Sequence, residues 1–133
     1  MSHAFPIRVY YEDTDLAGIV YYANYLRFIE RARTEWVRGL GIDQGRLKQD
    51  AGIVFAVRRI EADYLRPAKF DDELVVITRP AAATGARLHL EQEVCRAGEK
   101  LFLAQVTLVC LTDGGTPARF PAEIRQLLVP QLH

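Results

Sequence analysis

The sequence predicts a single α+β domain in which an antiparallel sheet wraps around one long helix. Its 133 residues are the length of one domain rather than two. Apolar residues recur at helical spacing early in the chain, and the later segments are β-like stretches joined by short links that contain glycine. Strands joined by hairpins cannot all run parallel, which argues against a doubly wound parallel sheet. We expect one domain over residues 1–133.

The long helix is predicted from Asn24 to Leu40. One face of this helix is apolar and the other is charged. Because the apolar face is wide and aromatic, it must pack against a large apolar surface. Gly39 and Gly41 supply a stop signal. A shorter helical turn is predicted around Asp43–Gln49. The apolar positions of the long helix are Tyr25, Phe28, Ile29, Ala32, Trp36, Val37 and Leu40.

Five strands are predicted in the order strand, long helix, four strands. The second strand runs on toward Tyr64 until Pro67 interrupts it, and a turn signal at Lys69–Asp72 precedes the third. A short helical segment is predicted at Ala122–Leu128, after the breaks at Pro117 and Pro121. The strands are Phe5–Tyr11, Ile53–Ile60, Leu74–Thr78, Arg87–Cys95 and Leu101–Leu111.

Composition argues against several classes of function. The 17 Lys+Arg residues balance 17 Asp+Glu residues, so general attraction to nucleic acid or anionic lipid has little support. The segment Met1–Ile7 lacks the features of a signal peptide, and no apolar run approaches the length of a membrane span. Cys95 and Cys110 lack C-x-x-C spacing and are expected to be reduced thiols. We expect a cytoplasmic protein without nucleic-acid or membrane partners.

Residues able to carry out chemistry concentrate in the loop before the helix. This acidic loop, with its lead into the helix, reads YYEDTDLAGIVYYANY from Tyr10 to Tyr25. Glu12, Asp13 and Asp15 fall within a few positions, and the helix begins soon after them. A helix start presents free backbone N–H groups and a partial positive charge. A carboxylate beside such a start suits acyl transfer, because the carboxylate acts as nucleophile or base while the N–H groups polarise a carbonyl.

The spacing of this loop also fits a purely structural interpretation, in which Asp13 and Asp15 accept loop N–H groups in Asx turns. Spacing alone favours that interpretation over catalysis. A calcium loop is disfavoured although Asp13-x-Asp15-x-x-Gly18 imitates the start of an EF-hand. Ala17 and Asn24 stand where an EF-hand requires an oxygen ligand and a bidentate glutamate. The histidines at positions 3, 89 and 133 are scattered, and no metal site is expected.

The same residues resemble a known family. Tyr10–Tyr25, continuing into FIERARTEW at Phe28–Trp36, resembles the signature of hotdog-fold acyl-CoA thioesterases. The resemblance is closest to the tol-pal-associated (YbgC-like) branch, and the segment is also similar to 4-hydroxybenzoyl-CoA thioesterase. The stretch from Val57 to Glu73 resembles the second block of the family. The resemblance implies a hotdog fold, an acyl-CoA substrate, and thioester hydrolysis without a metal or redox cofactor.

The resemblance also implies roles for single residues. Asp15 matches the catalytic aspartate, which acts as nucleophile or as general base for water. The backbone N–H of Tyr22, at the start of the central helix, matches the group that polarises the thioester carbonyl. Many YbgC-like members have histidine at that position, so a side-chain proton role does not carry over. Tyr11 matches a tyrosine near the site of YbgC-like relatives. Arg58–Arg59 is the local arginine cluster best suited to coenzyme A phosphates, although a solvated strand face explains it as well.

The resemblance implies self-association as a homodimer or a homotetramer, with the site between subunits. A single sheet over one helix leaves its edge strand unpaired, and pairing with a second copy across a two-fold axis would cover that edge. Two other functions stay open. One is a non-catalytic acyl-CoA-binding or scaffold module that uses the same groove. The other is a hotdog dehydratase, which the absence of a histidine near the acidic loop disfavours.

Overall fold

An antiparallel sheet and a long helix make up most of the computed structural model, which describes residues 2–128. The strands form one sheet in the order β1-β3-β4-β5-β2, and β6 pairs with β5. The described range leaves out Met1 and residues 129–133, and with them His133. The elements are β1 (His3–Arg8), α1 (Asn24–Gly39), α2 (Gln44–Ala51), β2 (Ile53–Tyr64), β3 (Glu73–Ala83), β4 (Arg87–Arg96), β5 (Glu99–Thr112), β6 (Pro117–Ala118) and α3 (Ala122–Leu128).

Helix α1 packs its apolar stripe against the sheet, as the helical spacing predicts. Phe28, Ile29 and Ala32 are fully buried, and burial of such a stripe against a sheet is the main source of stability for an amphipathic helix. One polar side chain lies in this interface. Gln92 of β4 donates to the Ile29 carbonyl at 2.9 Å and to the Thr78 hydroxyl at 2.9 Å. These bonds satisfy the buried amide and fix the helix on the sheet.

The predicted first strand, Phe5–Tyr11, is wrong at its end, because β1 stops at Arg8. Arg8 pairs with Glu73, the first residue of β3, so the ladder has no partner strand beyond this point. Tyr11 instead begins a single 3-10 turn, Tyr11–Asp13. This early end of the strand releases the acidic loop from the sheet.

The predicted third strand, Leu74–Thr78, is too short. Strand β3 continues to Ala83 although Pro80 lies within it. The register between β3 and β4 shifts between Pro80 and Ala82, so a bulge accommodates the proline, as bulges in sheets commonly do. The structure also adds the two-residue strand β6, which was not predicted because it begins at Pro117, a residue expected to break a strand.

The two outer strands of the sheet differ in length. Strand β1 has 6 residues and contains Pro6, which has no backbone donor. Strand β2 has 12 residues and pairs with β5 along one side. Tyr64 ends β2, and the chain then turns toward the start of helix α1. The longer outer strand therefore leads directly into the region of the acidic loop.

Both cysteines are free, Cys110 buried and Cys95 half-buried. Burial raises the pKa of the Cys110 thiol to about 11, as expected for an inert core thiol. Within residues 2–128, no helix is both long and apolar enough to cross a membrane.

Candidate active site

Asp13 ties the acidic loop to the start of helix α1. Its carboxylate accepts the Tyr10 N–H at 2.8 Å, which closes the 3-10 turn. Its backbone carbonyl accepts two further bonds, from the Tyr21 N–H at 2.9 Å and from Nδ2 of Asn24 at 2.9 Å. Asn24 is buried, so its amide needs this partner. The main role of Asp13 is therefore structural.

Asp15 lies in a tight reversal of the chain between Thr14 and Val20, which form an isolated bridge. The Asp15 N–H donates to the Ile19 carbonyl at 2.9 Å, and the Gly18 N–H donates to the Asp15 carbonyl at 2.9 Å. Oδ1 of Asp15 accepts the Ala17 N–H at 2.9 Å, which is the Asx turn that spacing suggests. Oδ2 accepts no hydrogen bond from the part of the chain that the structure describes, so one oxygen is free for chemistry.

The start of helix α1 leaves backbone donors open. Ala23, at the cap position, provides no side-chain hydrogen bond, and the first turn carries no acidic residue. The Asn24 N–H donates to the Tyr21 carbonyl at 2.8 Å. In a trans peptide the N–H points opposite to the C=O, so the Tyr22 N–H is directed away from the helix. Among the bonds of residues 2–128, none uses that N–H.

Asp15 and Tyr22 line the same cleft, which has a volume of about 400 Å³. The loop contributes one wall, and the chain that follows β2 contributes the opposite wall. The loop is held to that second wall by the Val20 N–H, which donates to the Ala68 carbonyl at 2.8 Å. The lining residues are Asp15, Ile19, Val20, Tyr21, Tyr22, Tyr25, Tyr64, Leu65, Arg66 and Pro67.

The structure places Tyr11 outside this cleft. Its side chain is exposed and makes an edge contact with Phe70 at a ring separation of 6.5 Å. Arg58 and Arg59 lie on outer strand β2, away from the cleft lining, and Arg59 pairs with Glu61. The structure thus brings Asp15 and Tyr22 together and leaves Tyr11 to one side. The role predicted for Tyr11 stays a prediction.

Tyr64 is a cleft residue that the sequence interpretation did not select. Its hydroxyl donates to the Tyr22 carbonyl at 2.9 Å, and its ring makes edge contacts with Tyr22, Tyr25 and Phe102. Tyr64 is 49% exposed. Partial desolvation of its phenol against the cleft wall raises its pKa, and the neighbouring Tyr22 and Tyr25 raise it further. The phenol is therefore neutral and acts as a donor. The position of Tyr64 at the end of a strand before Pro67 is the one sequence signal that could have drawn attention to it.

No group of three or more His, Cys, Asp or Glu side chains within residues 2–128 is arranged to hold a metal ion. The cleft contains the carboxylate of Asp15, backbone donors and phenols. This set of groups suits polarisation of a carbonyl and attack on its carbon.

Comparison with known proteins identifies the family. The model of the thioesterase-like superfamily matches residues 9–128. The chain belongs to this superfamily. A member from Haemophilus influenzae, the acyl-CoA thioesterase YbgC, is 42% identical over 123 residues, which are 92% of this chain and 90% of that protein.

Two solved structures agree with this membership. A probable thioesterase from Bartonella henselae is 36% identical and superposes with a TM-score of 0.86. The aligned region covers 91% of this chain and 100% of that protein. A 4-hydroxybenzoyl-CoA thioesterase bound to 4-hydroxybenzoyl-CoA has a TM-score of 0.89 over 95% of this chain and 97% of its own, and at 23% identity it shows the shared fold. The predictions of a hotdog fold and of a thioesterase are confirmed.

The Gly18→Ala variant tests whether the loop that carries Asp15 depends on the left-handed backbone conformation of Gly18. Gly18 has a φ of +80° with open space around its Cβ position, so only backbone strain opposes a side chain. We expect the variant to lose about 1 kcal/mol of unfolding free energy, measured by urea denaturation, together with part of its thioesterase activity as Asp15 shifts.

The matched control is Gly39→Ala, at the end of helix α1. This position also has open space around its Cβ and does not require a positive φ. It should keep or gain stability, by up to about 1 kcal/mol. A Gly18→Ala variant as stable as the parent would show that the loop does not depend on the left-handed conformation.

Proposed function

We propose that this chain hydrolyses acyl-CoA thioesters to the free acid and coenzyme A, with Asp15 as the reacting carboxylate and the Tyr22 N–H as the donor to the thioester carbonyl. One observation carries the proposal: in the described part of the chain, a carboxylate with an oxygen that accepts no hydrogen bond and an unused N–H just before the helix start line the same cleft. The similarity to the acyl-CoA thioesterase from Haemophilus influenzae supports the class of substrate.

The chemistry needs negative charge to be stabilised on the carbonyl oxygen while the carbon is attacked. The Tyr22 N–H meets that need, because a fixed backbone donor is already oriented when charge develops. The partial positive charge of the helix start acts in the same direction. The first turn of α1 itself carries no acidic side chain that would offset this charge.

Asp15 supports two routes to the same products. As a nucleophile, its Oδ2 attacks the carbonyl carbon, the C–S bond breaks, and water then cleaves the mixed anhydride to release the acid and restore the carboxylate. As a general base, it takes a proton from the water that attacks the carbon, and returns that proton to the departing thiolate. In both routes Oδ1 can keep its bond to the Ala17 N–H, so the loop need not rearrange.

The Asp15→Asn variant separates chemistry from structure at this position. Asparagine keeps an oxygen that accepts the Ala17 N–H, but it is neither a base nor an effective nucleophile. We expect kcat for thiol release to fall by at least about 100-fold, measured across acyl-CoAs of different length and shape, while the thermal unfolding midpoint stays near that of the parent.

Asp13→Asn is the matched control, since it lies in the same loop and its carboxylate also accepts a backbone N–H. It should retain most of the parental activity. Two outcomes would contradict the proposal. One is parental activity in Asp15→Asn. The other is a parent protein that is stabilised by acyl-CoA yet releases no thiol, which would favour the non-catalytic binding module.

A homodimer through outer strand β2 is the second part of the proposal. This strand is 12 residues long. Its charged residues begin with two basic ones, Arg58 and Arg59, and continue with two acidic ones, Glu61 and Asp63. Antiparallel pairing of two copies brings unlike halves of the strand together. The strand ends at Tyr64, so the partner would lie beside the cleft. The cytoplasmic location expected from the sequence stays a prediction.

Light scattering on the Glu61→Lys variant tests this dimer. Both Glu61 and the control, Glu73, are exposed and pair with an exposed arginine, but Glu73 lies on β3, beside the outer strand β1 on the other side of the sheet. We expect the parent and Glu73→Lys to show at least twice the mass of one chain at micromolar concentration, and Glu61→Lys to dissociate more readily. A parent with the mass of a single chain would contradict the dimer.

A further inference from the structure

Tyr64 reaches the helix start from a distant part of the sequence. It is the last residue of β2, and its hydroxyl donates to the Tyr22 carbonyl at 2.9 Å across a separation of 42 residues. A tyrosine at a strand end has many solvent-facing conformations available to it. Here it points across the cleft to a backbone atom beside the proposed carbonyl-binding N–H.

Aromatic packing fixes where this phenol lies. The Tyr64 ring is 5.0 Å from Phe102 and 5.5 Å from Tyr25, both in edge-on arrangements. Phe102 and Tyr25 are buried and stack on each other at 5.0 Å. Tyr25 is fixed in turn by its hydroxyl, which accepts the Ala68 N–H at 3.0 Å. The Tyr64 hydroxyl is therefore carried by a rigid aromatic base.

Tyr22 stands between two peptide groups that are held by different partners. The peptide before it is oriented by the Asn24 N–H, which donates to the Tyr21 carbonyl. The peptide after it is oriented by Tyr64, which donates to the Tyr22 carbonyl. The Tyr22 N–H lies in the first of these peptide planes, which the Asn24 bond orients. Tyr64 holds the second plane, which is joined to the first through the backbone torsion angles of Tyr22, and so restricts rocking of the first plane and its N–H. Without Tyr64, only the first of these two restraints acts.

We propose that Tyr64 is a positioning residue for the thioesterase reaction, which holds the Tyr22 carbonyl so that the Tyr22 N–H stays aimed at the thioester oxygen. This inference rests on the proposed function. Tyr64 acts through Tyr22. Its hydroxyl proton is used on a protein carbonyl, so Tyr64 does not supply a proton to the departing thiolate.

Tyr64→Phe is the direct test, because it removes one hydroxyl and keeps the ring on its aromatic neighbours. We expect kcat for acyl-CoA hydrolysis to fall about tenfold while KM stays within about twofold, since loss of orientation affects the charged transition state more than the bound substrate. The shape of the kcat–pH profile should match that of the parent, because Tyr64 transfers no proton.

Tyr10→Phe is the matched control. Tyr10 is an exposed tyrosine next to the acidic loop, and its side chain does not line the cleft. It should have parental kcat and KM. The Ala23 amide reports on the bond directly, since its nitrogen belongs to the peptide whose carbonyl accepts from Tyr64. Its NMR peak should shift in Tyr64→Phe and stay in place in Tyr10→Phe.

The outcomes separate this inference from the proposed function. A parent that hydrolyses acyl-CoA and an inactive Asp15→Asn, together with parental kcat in a folded Tyr64→Phe, would overturn the positioning role alone. A kcat–pH profile that changes shape in Tyr64→Phe would also overturn it, because Tyr64 would then take part in proton transfer. Absence of thiol release by the parent would instead overturn the proposed function.

Discussion

The backbone carbonyl of Asp13 holds the two halves of the proposed site together. It accepts both the Tyr21 N–H and the side-chain amide of Asn24, so the loop that carries Asp15 cannot move independently of the helix start. The bond from Val20 to Ala68 then fixes this unit on the chain that follows β2. The two groups proposed to face one carbonyl are thus positioned by short, local connections, and the sheet supports them.

The structural and the catalytic interpretations of Asp15 describe different oxygens of one carboxylate. Oδ1 stabilises the loop by accepting the Ala17 N–H, and Oδ2 remains available. A carboxylate held through one oxygen keeps its other oxygen in a defined direction, which is what a nucleophile or base requires. Asp13 shows the contrast, because its carboxylate closes a turn with the Tyr10 N–H and it does not line the cleft.

Periodicity and turn chemistry were enough to predict the long helix, the antiparallel sheet and most strand positions. The ends of elements were harder, because β1 stops where its partner strand begins and β3 continues past Pro80 through a bulge. The resemblance to the thioesterase family singled out Asp15 and Tyr22, which are close in sequence and line one cleft; their roles stay predictions. Tyr64 was missed because its partner is a backbone carbonyl far along the chain, and no spacing rule reveals a contact of that kind.

In the proposed reaction a substrate carbonyl binds between the Tyr22 N–H and Asp15. A crystal structure with an acyl-CoA analogue, in which CH₂ replaces the thioester sulfur, would show where that carbonyl lies. We expect a carbonyl oxygen about 2.7–3.2 Å from the Tyr22 nitrogen. The carbonyl carbon should lie about 3–3.5 Å from Oδ2 of Asp15, or one water away from it. An acyl group seated outside this cleft, or a carbonyl oxygen turned away from the Tyr22 N–H, would contradict it.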